Sequence, residues 1–261
     1  MPIDKWTREQ TIVAFNLYCK IPFNRVSSTH PDIVRIAKII GRNANSVKMK
    51  IGNFGSFDPE LKKRGIVGLE NTSKLDEDIW NEFNNNWEKL AYESELLIAK
   101  FSKKTIEETA HIDASELPID ASELPKGEER EALIKARVNQ SFFRSSILSS
   151  YNQKCCVTGL SISDFLVASH IIPWAKDEKN RLNPHNGLCL NVIHDKAFDK
   201  GYLTITAEYK IKLSKCFDDF KKDIAVKELF LKYNNQSIML PDKFLPSKEF
   251  LDYHYHKIFI K

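Results

Sequence analysis

The sequence predicts an α+β protein in which a mainly helical N-terminal domain precedes a mixed C-terminal domain. Three observations support this class. Apolar residues recur at helical spacing within residues 1–104, a proline-bearing heptad is duplicated within residues 105–127, and short apolar runs bounded by turn residues follow residue 150. The 261 residues are 42% hydrophobic, which is enough for two modest cores. We therefore expect a helical domain at 1–104, a linker at 105–127 and a second domain at 128–261.

Two adjacent helical patterns between residues 32 and 52 predict a helix-turn-helix. Gly41 suits the turn, and Asn43 or Asn45 suits the cap of the second helix. The shared apolar contacts would come from Ile36, Ile40, Val47 and Ile51. The residues expected to face outward, with donors for phosphates and base edges, are Arg42, Asn45, Ser46, Lys48, Met49 and Lys50. A purely structural helical pair is the alternative.

A basic run, Lys62 to Arg64, follows this pair in a predicted loop and is a candidate wing, so the domain is expected to be a helix-turn-helix or winged-helix domain. The whole-chain charge of +4 is too small to identify a nucleic-acid binder. Residues 76–102 then carry apolar residues at helical spacing, which predicts one or two amphipathic helices that pack the domain.

The duplicated heptad reads Ile112–Pro118 and then Ile119–Pro125, with the same seven residues in each copy. Proline in each copy excludes a continuous helix, so this acidic stretch is predicted to be a linker. Residues 128–150 are predicted to be helical and carry Arg137 and Arg144 among other basic residues. These basic residues are expected either to follow DNA phosphates or to be solvated helix charges.

The C-terminal part begins with an apolar run, Phe165 to Trp174, which predicts a strand that ends near His170 because a proline follows. Residues 175–184 are polar and aperiodic, which predicts a surface loop. A turn at Asn186 precedes a strand or helix entry, and Gly201 ends a helical turn. Residues 202–214 alternate around a turn as a β-hairpin does, and residues 217–231 have a helical pattern.

Four sequence blocks within residues 156–201 resemble the HNH endonuclease family, in its restriction-endonuclease-like branch. The blocks are Cys156–Gly159, Ala168–Pro173, Asn186–Leu190 and His194–Gly201. The resemblance implies a ββα-metal nuclease domain that hydrolyses phosphodiester bonds of double-stranded DNA to 5′-phosphate and 3′-hydroxyl ends. It also resembles the tail of this branch near the chain end, where His254 and His256 are expected to be packing or surface residues.

The resemblance implies a role for each matching residue. His170 would be the general base, Asn186 would hold the loop and the base, and His194 would bind one divalent cation. Asp195 and Asp199 are nearby carboxylates that suit Mg²⁺, with Mn²⁺ as an alternative, although Asp199 could instead brace the helix. Ser169 departs from the family pattern, which often has a metal ligand before the base.

The five cysteines contain no Cys-x-x-Cys pair, so no structural zinc is expected. No signal peptide or membrane-length apolar span is evident, which predicts a soluble cytoplasmic protein without a membrane partner. We expect a restriction endonuclease, with dependence on a modified base left open, acting as a homodimer. The alternatives are a homing or nicking endonuclease and a DNA-binding regulator with an inactive HNH core.

Overall fold

The computed structural model describes residues 5–63, 65, 72–110 and 128–261. The chain divides into two compact units, Met1–Ser145 and Ser146–Lys261, and the division falls within a helix that spans Glu128–Ser150. Both copies of the duplicated heptad lie outside the described residues. The domain limits expected from the sequence therefore stay a prediction.

The secondary structure of unit 1 is entirely helical in its described residues. Its helices are α1 (Arg8–Lys20), α2 (Pro31–Ile39), α3 (Ala44–Gly55), α4 (Pro59–Lys63), α5 (Lys74–Phe83), α6 (Trp87–Ser102), α7 (Ile106–Thr109) and the greater part of α8 (Glu128–Ser150). Helix α1 is central, because it contacts α2, α3, α5 and α6 and buries residues 11–19 without interruption. Within the core, the Phe15 ring lies 4.7 Å from that of Phe54 and 5.3 Å from that of Trp80.

Helices α2 and α3 form the predicted pair. Gly41 adopts a φ of +69° in the turn between them, which a residue with a side chain rarely adopts. The side chain of Asn43 caps α3 by accepting a 2.7 Å hydrogen bond from the Ser46 amide. The predicted contact residues Ile36, Ile40, Val47 and Ile51 are all buried. The two predicted helices and the turn between them are therefore present, while their use as a DNA-binding helix-turn-helix stays a prediction.

The structure corrects two expectations about the basic residues of unit 1. Lys50 does not face outward, because it is only 5% exposed and its Nζ lies 2.5 Å from Oδ1 of the fully buried Asp76. The proposed wing is also wrong as far as the structure describes it, since Lys62 and Lys63 lie on α4 rather than on a hairpin. Arg64 lies outside the described residues.

Unit 2 places two strands before one helix. Strand β1 (Leu166–His170) pairs antiparallel with β2 (Gly187–Asn191), with Leu166 opposite Asn191 and His170 opposite Gly187. Helix α9 (Val192–Asp199) starts directly after β2 and packs on both strands. The second sheet and the remaining helices are β3 (Leu203–Ile205), β4 (Ile211–Leu213), α10 (Ile224–Leu229) and α11 (Lys248–Lys257).

The predicted hairpin after Gly201 is confirmed by the antiparallel pairing of β3 and β4. The helical pattern at 217–231 is interrupted, because a 3₁₀ helix at Lys215–Phe220 ends before α10 begins. Asp223 accounts for the new start, since its carboxylate accepts hydrogen bonds from the amides of Ala225 and Val226. Among the described residues, no helix combines the length and apolar character that crossing a membrane requires.

Candidate active site

His170 ends strand β1, and its ring is held from two sides. Nε2 lies 2.8 Å from the carbonyl oxygen of Arg181, and the ring meets Trp174 edge to face at 5.5 Å between centroids. A carbonyl only accepts, so Nε2 carries the proton of the neutral imidazole and Nδ1 is its basic nitrogen. The local geometry therefore selects the tautomer that a general base acting through Nδ1 requires.

Burial lowers the pKa of His170, and the hydrogen bond to Arg181 and the charge of Asp195 oppose this only in part. The ordinary value of 6.5 for histidine already leaves the ring mostly neutral at neutral pH. A downward shift of the pKa therefore increases the fraction of His170 that is able to accept a proton.

Asn186 connects the two ends of the loop that separates β1 from β2. Its Oδ1 accepts a 2.8 Å hydrogen bond from the Ile172 amide, and its Nδ2 donates to the carbonyls of Ile172 and Asn180, each at 3.2 Å. The side chain is 1% exposed, so it has little access to a substrate. These contacts fit the loop-holding role that the sequence predicts for Asn186.

A second clamp within this loop joins Arg181 to Trp174. The Arg181 Nε donates a 2.9 Å hydrogen bond to the Trp174 carbonyl, and the guanidinium carbon lies 5.3 Å from the indole centroid. Arg181 thus contacts His170 through its own carbonyl and also holds the indole that packs against the imidazole. This contact was not predicted from the sequence, because neither residue belongs to a recognisable catalytic pattern.

Asp195 and Asp199 lie four residues apart on α9 and so share one face of the helix. Burial raises the pKa of both carboxyls, and the charge of Asp199 raises that of Asp195 further. His170 acts on Asp195 in the opposite direction by favouring its ionised form. The three side chains therefore interact electrostatically through Asp195, which is partly buried, whereas Asp199 is exposed.

Ser169 adds an unsatisfied oxygen beside this cluster. The residue is 2% exposed, and its hydroxyl oxygen has no hydrogen-bond partner of ordinary geometry among the described residues. It nevertheless lies close enough to Asp195 to lower the pKa of that carboxyl. In the sequence Ser169 is only a departure from the family pattern, and its burial and its effect on Asp195 depend on the fold.

His194 is not presented to a cation, which corrects the expectation that it is a metal ligand. The residue is fully buried, its Nε2 lies 2.7 Å from the Leu229 carbonyl, and its Nδ1 lies 2.9 Å from Nδ2 of Asn191. Asn191 Oδ1 accepts from the amides of Ile193 and His194, so Nδ2 is the atom that donates to the ring. Both imidazole nitrogens are therefore used by the protein, and His194 fixes the start of α9.

The oxygen-bearing side chains of Asp195, Asp199 and Ser169 fit a hard cation better than a soft one. No group of three or more His, Cys, Asp or Glu side chains within the described ranges is arranged to hold a metal. Magnesium is commonly held by one or two carboxylates, with water and substrate phosphate completing its coordination. Asp195 and Asp199, with the nearby Ser169 hydroxyl, match that donor set, whereas the histidine ligand implied by the resemblance does not.

The predicted DNA-binding residues all belong to unit 1. Asn45, Lys48 and Met49 are exposed on α3, Ser46 is half-buried, and Lys50 is buried. Arg42 is half-buried, donates to Gln10 Oε1 and to the Lys5 carbonyl, and lies over the Trp6 ring at 5.1 Å. On α8, Arg144 is exposed, and Arg137 donates a long 3.4 Å hydrogen bond to Gln140.

Residues 155–206 match the family model of HNH endonucleases, so this segment defines a nuclease domain. The match covers β1, β2, α9 and β3 and includes His170, Asn186, Asp195 and Asp199, but it spans less than half of the chain. A comparison with curated proteins finds no match. The match therefore supports an HNH endonuclease domain at residues 155–206.

Proposed function

We propose that this protein is a metal-dependent DNA endonuclease that uses His170 as its general base. The observation that carries the proposal is the hydrogen bond from His170 Nε2 to the Arg181 carbonyl, because it makes Nδ1 the proton acceptor of a ring that interacts electrostatically with Asp195 of α9. Removal of a proton from water by Nδ1 produces the hydroxide that attacks phosphorus. The bond between phosphorus and the 3′ oxygen then breaks, which leaves a 5′-phosphate, and the released 3′ oxygen takes up a proton from water to give the 3′-hydroxyl end.

Each of the other site residues supports this step. Asn186 holds the loop that carries the Arg181 carbonyl, while Asp195 and Asp199 would hold the divalent cation, with Mg²⁺ favoured and Mn²⁺ as an alternative. When bound, the cation supplies charge stabilisation at the scissile phosphate and at the leaving oxygen. His194 acts indirectly, since its two hydrogen bonds set the start of the helix that carries both carboxylates.

We further propose that unit 1 recognises the DNA duplex through α3 and that the biological role is restriction. Asn45, Lys48 and Met49 supply an amide, a cation and an apolar side chain on the exposed face of a helix that follows a tight turn. Arg144 and Arg137 on α8 would contact phosphates. One HNH site cuts one strand, so a double-strand break requires a homodimer or successive nicks.

Cleavage of plasmid DNA tests the proposed nuclease. Unmodified and cytosine-modified plasmids are incubated with the protein and Mg²⁺, Mn²⁺ or chelator, and the product ends are sequenced. Cleavage should require the cation and should be abolished by His170→Ala, whereas His256→Ala, which alters an exposed histidine of the same unit, should have no effect. Specific binding without cleavage on every substrate would instead support the regulator alternative, and cleavage retained in His170→Ala would refute the assigned base.

A further inference from the structure

Unit 2 exposes a contiguous apolar face around the first turn of α9. Six large apolar side chains on it are between 43% and 57% exposed, namely Ile162, Phe165, Val192, Ile193, Tyr202 and Phe220. Single exposed apolar residues are common on soluble proteins, but a contiguous group of this kind is typical of an interaction surface. The face lies on the helix that carries Asp195 and Asp199.

Two grooves give this apolar face its shape. One has a volume of about 1050 Å³ and extends from Val192 and Ile193 towards Phe220, and the other, of about 620 Å³, extends from the same two residues towards Phe165. Val192 and Ile193 line both grooves, so they form an apolar ridge with a depression on each side. A ridge next to a groove is a shape that can pack against its own copy.

We propose that the apolar face binds the same face of a second copy of this chain. A two-fold symmetric contact uses the same surface on both copies. The surface must therefore be complementary to itself in shape and in charge. The ridge and grooves satisfy this condition in shape. The charges satisfy it as well, because Lys196, Lys200 and Asp219 line the larger groove and place both signs on one patch.

This assignment rests on the homodimer of the proposed function and names the surface through which the two copies would bind. Contact through the first turn of α9 would relate the two pairs of Asp195 and Asp199 by a two-fold axis. That symmetry matches the antiparallel strands of duplex DNA, so each copy could act on one strand. A DNA phosphate surface is the less suitable assignment for this face, because apolar side chains predominate around its few charges.

Sedimentation equilibrium of the full-length chain without DNA tests the proposal. The wild-type protein should change from a 30.1 kDa monomer to twice that mass as its concentration rises. Ile193→Asp should weaken the dimer by about tenfold or more, because it buries an unpaired charge in an apolar contact. The matched control is Val34→Asp, which alters a 48% exposed side chain of unit 1 and should leave the dimer constant unchanged.

A charge-exchange pair distinguishes this face from other dimer contacts. Lys200→Asp and Asp219→Lys should each weaken the dimer, and the double variant should recover most of the loss because opposite charges meet again across the axis. A monomer at every concentration, or a dimer unaffected by Ile193→Asp, would overturn the assignment. Failure of the nuclease proposal would look different, since it would remove cleavage while leaving self-association in place.

Discussion

His170 Nε2 lies 2.8 Å from the carbonyl oxygen of Arg181, a residue of the same loop whose side chain also holds Trp174. One residue thus sets the tautomer of the candidate base through its backbone and fixes the neighbouring indole through its side chain. The orientation of the base therefore depends on the conformation of the loop, which Asn186 closes.

Replacement of Arg181 by methionine should reduce kcat while changing KM little. The variant keeps the aliphatic length but loses the hydrogen bond to the Trp174 carbonyl and the contact with the indole. A small displacement of a catalytic group costs on the order of tenfold to a hundredfold in rate. Arg181→Lys should recover part of the loss, and Lys179→Met, at an exposed position of the same loop, serves as the control. An effect confined to KM would instead indicate a DNA contact.

Substitutions of the two carboxylates and of His194 should have different effects on cation binding and on stability. Asp195→Asn and Asp199→Asn should weaken Mg²⁺ binding, because each removes a charged oxygen donor. Without the cation, both variants should melt at a higher temperature than the wild type at neutral pH. The sign follows from burial, which raises the pKa of each carboxyl and so makes the ionised form unfavourable in the folded protein.

His194→Ala should instead lower the stability of the protein and change its Mg²⁺ affinity little. It removes a buried imidazole that hydrogen-bonds to Asn191 and to the Leu229 carbonyl, which should cost about 3 kcal/mol of unfolding free energy. Mg²⁺ affinity measured by calorimetry on the fraction that remains folded should change less than in Asp195→Asn. A loss of affinity without a loss of stability would identify His194 as a direct ligand after all.

His254 should make the protein less stable in acid. Burial lowers its pKa from 6.5 to about 4, because the ring stacks on Phe198 at 3.7 Å and bonds to Thr204. The unfolded chain takes up this proton first, so stability is full above pH 6.5 and falls as the pH approaches 4. The loss should amount to about 3 kcal/mol across that window.

Chemical denaturation at several pH values measures the slope that His254 predicts. His254→Gln lowers stability at neutral pH but should flatten the dependence between pH 6.5 and 4. His256→Gln, at an exposed position on the same helix, should leave the slope as it is in the wild type. An unchanged slope in His254→Gln would assign the acid sensitivity to other groups.

Lys48 and Lys50, which are neighbours on α3, should respond oppositely to substitution by alanine. Lys48 is exposed, so its loss should weaken DNA binding and reduce its salt dependence while leaving the unfolding free energy nearly unchanged. Lys50→Ala leaves Asp76 buried without its ion-pair partner and should cost about 3–5 kcal/mol of stability. Fluorescence anisotropy and urea unfolding measure the two effects, and weaker DNA binding by a fully stable Lys50→Ala would contradict the structure.

The sequence alone was sufficient to predict those structural elements that are determined by residues close together in the chain. The turn at Gly41 and the apolar spacing of α2 and α3 each depend on residues close together in the chain, while the cap was left open between Asn43 and Asn45 and the structure shows it at Asn43. The strand that ends near His170 was predicted in the same way, whereas the segment after Asn186 was left open between a strand and a helix entry, and the structure makes it β2 followed by α9. The order of the four sequence blocks within residues 156–201 also indicated the nuclease domain that the family match supports.

Tertiary structure decided which side chains reach the site. Lys50 is buried because Asp76, 26 residues away in the chain, meets it in the core of unit 1. His194 is used internally because the Leu229 carbonyl, 35 residues further on, accepts its Nε2 hydrogen. The sequence by itself determined that this chain carries histidines and aspartates in the order typical of an HNH nuclease. Whether each of these side chains can contact a substrate or a cation depends on its burial and on hydrogen-bond partners that are distant in the sequence. Only the folded chain brings those partners together.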